Sequence, residues 1–171
     1  MNKIKTHEHR KDLAGEHPSG DTGQIILLIL FIAGLLIDKL ILHTSILPPQ
    51  SFPFHLRILV SLPFFISSFL LAKSSHKTVF AEQRKELSVI KSGAFSIVRH
   101  PLYLSCILLY AGFIIISLST IAFSIWLIIL IFYYYISQYE EKILIDKLGS
   151  KYKQYMNEVP MFIPRPFRKK R

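Results

Sequence analysis

Cysteine is nearly absent from the sequence, with Cys106 the only one in 171 residues. A lone cysteine excludes an intramolecular disulfide and a metal site built from several thiolates. Its apolar neighbours are typical of a small buried side chain. Acidic residues are scarce as well: 11 Asp and Glu stand against 21 Lys and Arg, which gives a formal net charge of +10.

The basic residues are separated along the chain from the hydrophobic residues, which make up 51% of it. A nucleic-acid-binding surface needs a soluble scaffold with basic and aromatic side chains interleaved, whereas here the basic residues lie between membrane-length segments. We therefore expect membrane lipids with anionic headgroups as partners, and no nucleic acid. The length of the chain is sufficient for one domain.

Four apolar segments dominate the sequence, each rich in Ile, Leu and Phe and almost free of polar positions. They cover residues 25–42, 56–72, 102–117 and 121–136. At a rise of ~1.5 Å per residue, segments of this length reach the lower limit for crossing the hydrocarbon core of a bilayer. The pattern predicts an all-α integral membrane protein with about four transmembrane helices.

The polar ends of the chain set the predicted boundaries. Residues 1–23 lack an apolar core and helical periodicity, so we expect a mobile N-terminal tail there. Residues 24–164 then form the membrane domain, and residues 165–171 form a basic C-terminal tail. The histidines of the N-terminal tail lack a second ligand group at metal-binding spacing, and we expect no metal site.

Asp38 and Lys39 are the polar exception within the first apolar segment. Adjacent residues point in different directions on a helix, so these two should not form a tight ion pair. We expect both near the far membrane interface, with Lys39 extending its ammonium group towards water.

The distribution of basic residues predicts the orientation of the chain. Residues 73–99 contain six Lys and Arg, and nine more follow residue 136, whereas the connections 43–55 and 118–120 contain none. Basic residues gather on the cytoplasmic side of membrane proteins. We therefore expect a multi-pass protein of the inner (cytoplasmic) membrane, with both termini and the long middle loop in the cytoplasm.

The stretch Arg99-His100-Pro101-Leu102-Tyr103 lies where the third apolar segment begins. Proline is favoured at the first position of a helix and disfavours helical geometry in the residue before it, so the helix should begin at Pro101. The first N–H groups of a helix have no partner within it and attract anions. Arg99 adds a planar guanidinium suited to a carboxylate or phosphate.

A second polar group should lie at the same depth. The connection between the third and fourth segments is short, so these helices must run antiparallel, and the chain returns to the level of Arg99 near residues 137–141. Glu140 and Glu141 then face Arg99, His100 and Tyr103, an arrangement suited to a zwitterion. The alternative is structural: an ion pair between Arg99 and Glu140 that only ties two helix ends together.

A short amphipathic helix should follow Gly149. Tyr152, Tyr155, Met156 and Val159 recur there at i, i+3, i+4 and i+7. This spacing predicts a helix that ends at Pro160 and lies at the membrane interface. Such a helix either covers the polar site or anchors the C terminus to lipid.

These motifs, taken in their order and spacing, resemble one known group of proteins. They are Arg99-His100-Pro101-x-Tyr103, the pair Glu140-Glu141, and the run from Leu148-Gly149 through Tyr152 and Tyr155 to Val159-Pro160-x-Phe162-Ile163-Pro164. Over residues 92–164 the sequence is similar to the integral-membrane methyltransferases of the isoprenylcysteine carboxyl methyltransferase and phospholipid methyltransferase superfamily.

The resemblance implies an enzyme that uses S-adenosylmethionine to methylate a lipophilic acceptor entering from the bilayer. It implies Arg99, His100 and Glu140 as catalytic residues, and a cofactor site formed by His100, Pro101, Leu102, Tyr103, Glu140 and Glu141. In-line methyl transfer depends mainly on positioning and on exclusion of water. A carboxylate acceptor needs no base, whereas an amine acceptor needs one, for which His100 or a glutamate is available.

Several alternatives stay open from the sequence. The acceptor is a prenylcysteine-like carboxylate, a phospholipid or other amine, or another lipid. Tyr133, Tyr134 and Tyr135 stand where the eukaryotic prenylcysteine enzymes carry basic residues, which argues against prenylcysteine. Related reductases use a nicotinamide cofactor, but the sequence has no phosphate-binding glycine loop. The non-enzymatic alternative is the clasp between Arg99 and Glu140.

Overall fold

The computed structural model describes residues 20–48, 51–80 and 88–164, and these residues form five α-helices and no strand. The helices are α1 (Gly20–Ile37), α2 (Phe54–Phe80), α3 (Pro101–Ser117), α4 (Thr120–Leu148) and α5 (Ser150–Glu158). A π-helical turn, Asp38–Leu42, extends α1, and a 3₁₀ turn, Gly93–Ser96, precedes α3. The predicted all-α membrane fold is confirmed.

Three helical segments are long and apolar enough to cross a bilayer: Thr22–Leu42, Phe54–Val79 and Thr120–Leu148. The fourth apolar helix, α3, has 17 residues, which at 1.5 Å per residue is about 26 Å, slightly less than the hydrocarbon thickness of a bilayer. The four predicted apolar segments all lie in these helices. α2 and α4 nevertheless continue well beyond the predicted apolar segments, because polar residues extend each helix past its apolar stretch.

α3 packs against α2 on one side and against α4 on the other, while α1 packs along α4. Small residues permit close approach at two of these contacts. A side chain at Gly112 of α3 would collide with Phe65 of α2, and one at Gly34 of α1 would collide with Ile125 of α4. Helix pairs inside a bilayer use small residues in this way.

α5 is the amphipathic helix predicted after Gly149. Its apolar residues Tyr152 and Tyr155, and Val159 directly after it, are buried against Leu144 and Ile145 of α4 and their neighbours. The apolar face of α5 therefore packs against protein, and the helix is joined to the membrane domain rather than lying free on lipid.

The predicted tails fall largely outside the described residues. Residues 1–19 and 165–171 are not described, whereas residues 20–23, which were predicted to belong to the N-terminal tail, form the first turn of α1.

Asp38 lies at the end of α1 as predicted, but it is buried in protein, with 2% of its surface exposed. Its carboxylate accepts hydrogen bonds from the hydroxyl groups of Ser119 and Thr44, and from Thr44 N at 2.8 Å. Ser119 is the N-cap residue of α4 and itself accepts a hydrogen bond from Ala122 N at 3.1 Å. Asp38 thus ties the end of α1 to the start of α4.

We predict that Asp38→Asn lowers the free energy of unfolding by about 1–3 kcal/mol, because the amide has a single acceptor oxygen and turns an NH₂ group towards hydrogen-bond donors. Thermal unfolding in detergent measures the change. Lys39→Ala is the matched control, since Lys39 is adjacent but exposed. An unchanged stability of the Asp38 variant would contradict the role given to this carboxylate.

Candidate active site

The chain enters α3 in a fixed geometry. Pro101 is the first residue of the helix, as predicted, and His100 is its N-cap residue (φ −120°, ψ 64°). Upstream, Ala94 N donates to Ser74 Oγ of α2 at 3.0 Å. Gly93 has φ 59°, and a side chain there would collide with α2. Only glycine fits this turn without strain, so α2 fixes the position from which the chain enters α3.

Arg99, just before α3, has only 9% of its side chain exposed. Its Nε lies 2.7 Å from Glu141 Oε1 and its Nη2 lies 3.2 Å from Glu141 Oε2, a bidentate ion pair. Nη1 donates to the carbonyl oxygens of Met156 at 3.0 Å and Val159 at 2.6 Å. The ion pair between Arg99 and Glu140, which the sequence left open as a structural alternative, is not formed; the partner of Arg99 is Glu141. Neighbouring helical residues point about 100° apart, and α4 turns Glu141 towards Arg99.

His100 is buried between the two glutamates. Its Nε2 lies 3.0 Å from Glu141 Oε1, and its Nδ1 lies 3.6 Å from Glu140 Oε2. Tyr103, one turn into α3, donates its hydroxyl hydrogen to Glu140 Oε1. The structure therefore brings together Arg99, His100, Tyr103, Glu140 and Glu141, which we call the polar cluster.

Aromatic rings extend the polar cluster into the membrane domain. The ring of His100 is parallel to that of Tyr103 at a centroid distance of 5.7 Å, and Tyr103 stacks on Tyr133 of α4 at 5.0 Å. The ring of Phe162 also lies against the ring of His100, at a centroid distance of 5.9 Å. The faces of tyrosine rings attract cations, so this layer suits a positively charged group next to the carboxylates.

The last turn of α5 and the residues after it cover the start of α3. Residues 156–162, which we call the C-terminal strap, accept hydrogen bonds from the backbone N–H groups of both Arg99 and His100, at Pro160 O (2.9 Å) and Met161 O (3.3 Å). Together with the bonds from the Arg99 side chain, these contacts hold the strap against the start of α3.

Tyrosine residues of α5 support this cover. Tyr155 donates its hydroxyl hydrogen to Phe95 O at 2.6 Å, in the turn before α3. Burial raises the pKa of Tyr155 and of Tyr152, so both hydroxyl groups remain protonated, and Tyr155 remains a donor, at neutral pH.

Two residues predicted to bind a cofactor lie in α3 beside the polar cluster. Pro101 is buried at the first helical position. Leu102 is 39% exposed and therefore lies away from the buried carboxylates. The backbone N–H group of Leu102, in the first turn of α3, has no partner within the helix and is suited to an anionic group of a ligand.

Sequence reasoning missed two residues of α4 that line the same region. Tyr133 and Ser137 lie two turns and one turn before Glu141, and all three are buried on the face towards α3. Ser137 Oγ has no hydrogen-bond partner. The spacing of four residues was a usable signal, because positions i, i+4 and i+8 share one face of a helix.

A groove of about 510 Å³ lies on the opposite face of α4. It is lined by Phe132, Tyr134, Tyr135, Ile136, Gln138, Tyr139 and Lys142. Exposed tyrosines and a lysine near the polar end of a membrane helix are typical of the bilayer interface. The groove is separated by the body of α4 from the polar cluster, which is itself closely packed.

The sequence matches the phospholipid methyltransferase family over residues 57–151, more than half of the chain. The chain belongs to this family. No curated protein and no solved structure matches it. The matched range of this phospholipid methyltransferase family member contains the whole polar cluster and ends before the C-terminal strap. Membership makes the chain a membrane methyltransferase that acts on a lipid-like substrate.

We predict unequal losses of stability for variants of the two adjacent glutamates. Glu141→Gln should lower the free energy of unfolding by about 3–5 kcal/mol, because it leaves the buried Arg99 guanidinium without its counter-ion. Glu140→Gln should cost about 1 kcal/mol, the value of one hydrogen bond. Chemical unfolding in a mild detergent distinguishes the two variants. Equal losses would mean that the Arg99–Glu141 pair does not hold the two helices together.

Proposed function

We propose that the chain is an S-adenosylmethionine-dependent methyltransferase whose acceptor is an amine on a membrane lipid. The observation that carries this proposal is the charge arrangement of the polar cluster. Two carboxylates and two aromatic rings converge there, while the Arg99 guanidinium is already bound to Glu141 and to backbone carbonyls. Such a site favours cations over anions.

The residues of the polar cluster fit S-adenosylmethionine. The cofactor carries a sulfonium, an ammonium, a carboxylate and several hydroxyl groups. Carboxylates, hydroxyl oxygens and aromatic faces are suitable partners for its cationic and hydroxyl groups, and the first N–H groups of α3 are suitable partners for its carboxylate. A buried hydroxyl without a hydrogen-bond partner, Ser137 Oγ, belongs to the turn of α4 before Glu141. When bound, the cofactor supplies a methyl group activated by its sulfonium. We assign its binding to His100, Pro101, Leu102, Tyr103, Glu140 and Glu141.

His100 and Glu140 are the proposed catalytic residues. A lipid ammonium must lose a proton before its nitrogen can attack a methyl group, and this step needs a base within reach. His100 Nδ1 and Glu140 Oε2 are 3.6 Å apart, so a proton lost by the ammonium has two acceptor groups within reach. Glu141 orients the imidazole from the other side, through Nε2. Arg99, predicted as catalytic, acts in this proposal as a positioning residue.

A prenylcysteine-like carboxylate has less support as the acceptor. A carboxylate acceptor would need a cationic partner in the site. The predicted partner is the guanidinium of Arg99, but its Nε, Nη1 and Nη2 already donate hydrogen bonds within the protein. Binding such an acceptor would require Arg99 to leave Glu141 buried and unpaired, which is costly.

We further propose that the polar cluster faces the cytoplasm. It lies at the end of the helices where basic residues gather, among them Lys91 before α3 and Lys142 and Lys147 in α4. A water-soluble cofactor reaches the site from that side, while the lipid acceptor arrives through the bilayer.

Cysteine labelling tests this orientation. In a Cys106→Ser background, Lys91→Cys should react with a membrane-impermeant maleimide only after the cells are permeabilised. Ser45→Cys, exposed at the other end of the helices, should react in intact cells. The reverse pattern would place the polar cluster outside the cytoplasm and remove its access to the cofactor.

A methyl-transfer assay tests the activity itself. Purified protein with methyl-labelled S-adenosylmethionine should label phosphatidylethanolamine in a panel that also contains phosphatidylglycerol and a prenylated cysteine. Glu140→Gln should reduce turnover by about 100-fold or more, the typical effect of losing a general base. Glu158→Gln, which neutralises an exposed carboxylate paired with Lys91, is the control. Label on the prenylated cysteine alone would refute the amine acceptor.

A further inference from the structure

Ser137 holds the one buried side-chain oxygen or nitrogen among the described residues that lacks a hydrogen-bond partner. The residue is fully buried, with 0% of its surface exposed. Most buried hydroxyl groups are satisfied, because a hydroxyl removed from water without a new partner destabilises the fold. In this chain Ser75, equally buried, donates to Leu71 O at 2.7 Å. Ser137 makes no such hydrogen bond to a backbone carbonyl.

The position of Ser137 connects this missing partner to the polar cluster. Tyr133 lies one turn before Ser137 and stacks on Tyr103; Glu141 lies one turn after it and binds Arg99 and His100. The hydroxyl group of Ser137 therefore lies between the aromatic layer and the carboxylates, on the face of α4 that is turned towards α3.

A purely structural role does not explain the hydroxyl group. An alanine at this position would fill nearly the same volume and would remove the unpaired oxygen. A ligand with a hydrogen-bond donor would satisfy the oxygen in the bound state only. The neighbouring carboxylates and tyrosine rings make a cationic donor the best match for such a ligand.

We propose that Ser137 is a binding residue for the methyl donor, and that its Oγ accepts a hydrogen bond from the ammonium of the donor's amino-acid end. This inference rests on the function proposed above. It adds a contact from α4 to those assigned to Glu140 and Glu141, and it gives α4 two consecutive turns of ligand-facing residues.

The test compares two ligands by calorimetry in detergent. S-Adenosylhomocysteine keeps the amino-acid end, whereas 5′-methylthioadenosine lacks it. Ser137→Ala should weaken binding of S-adenosylhomocysteine by about 10- to 150-fold, as expected for one hydrogen bond with a charged donor, and leave binding of methylthioadenosine unchanged. The unfolding temperature of the ligand-free variant should equal or exceed that of the parent protein.

Ser61→Ala is the matched control. Ser61 is also buried, but its hydroxyl donates to Ile58 O at 2.9 Å, at the end of α2 away from the polar cluster. This variant should bind both ligands normally and should not gain stability.

Three results would overturn the inference: unchanged affinity of Ser137→Ala for S-adenosylhomocysteine, equal weakening for both ligands, or a loss of stability without ligand. The first two would leave the proposed function intact, provided that the parent protein binds S-adenosylhomocysteine. Failure of the parent protein to bind either ligand would overturn the proposed function, and this inference with it.

Discussion

The position of the candidate site depends on one buried guanidinium. Arg99 donates to a carboxylate of α4 and to two carbonyl oxygens at the end of α5, and its backbone N–H group donates to the strap at Pro160. A charge removed from water is tolerated only where partners surround it. The start of α3, the polar end of α4 and the C-terminal strap must therefore meet at Arg99, and they have little freedom to meet elsewhere.

This constraint gives the two adjacent glutamates different roles. Glu141 is fixed by Arg99 and holds His100 through Nε2, so the opposite ring nitrogen, Nδ1, is directed at Glu140. Glu140 and Tyr103 then form the part of the polar cluster beside the aromatic layer. One carboxylate fixes the geometry, and the other is placed where a cationic substrate or cofactor group can be recognised.

Much of this arrangement was predictable from the sequence, for identifiable reasons. Pro101 defines the start of α3, and the short turn after α3 forces an antiparallel return that brings the glutamates to the level of Arg99. The choice between Glu140 and Glu141 was not predictable, because it depends on the rotation of α4 about its axis. The apolar face of α5 was equally ambiguous, since the same spacing suits contact with lipid or with a neighbouring helix.

Two polar contacts, one at the start of α4 and one at its polar end, fix the register of the helices around it. Inside a bilayer, lipid tails are as apolar as leucine, so apolar burial alone gives helices little reason to choose one register over another. Asp38 holds the start of α4 through Ser119, and Glu141 holds the start of α3 through Arg99. With both ends held, Tyr133 must face Tyr103, and the region between the aromatic layer and the carboxylates is set by the helices themselves. A site that requires alignment of a methyl donor with an acceptor gains from such a rigid frame, because in-line transfer tolerates little misplacement.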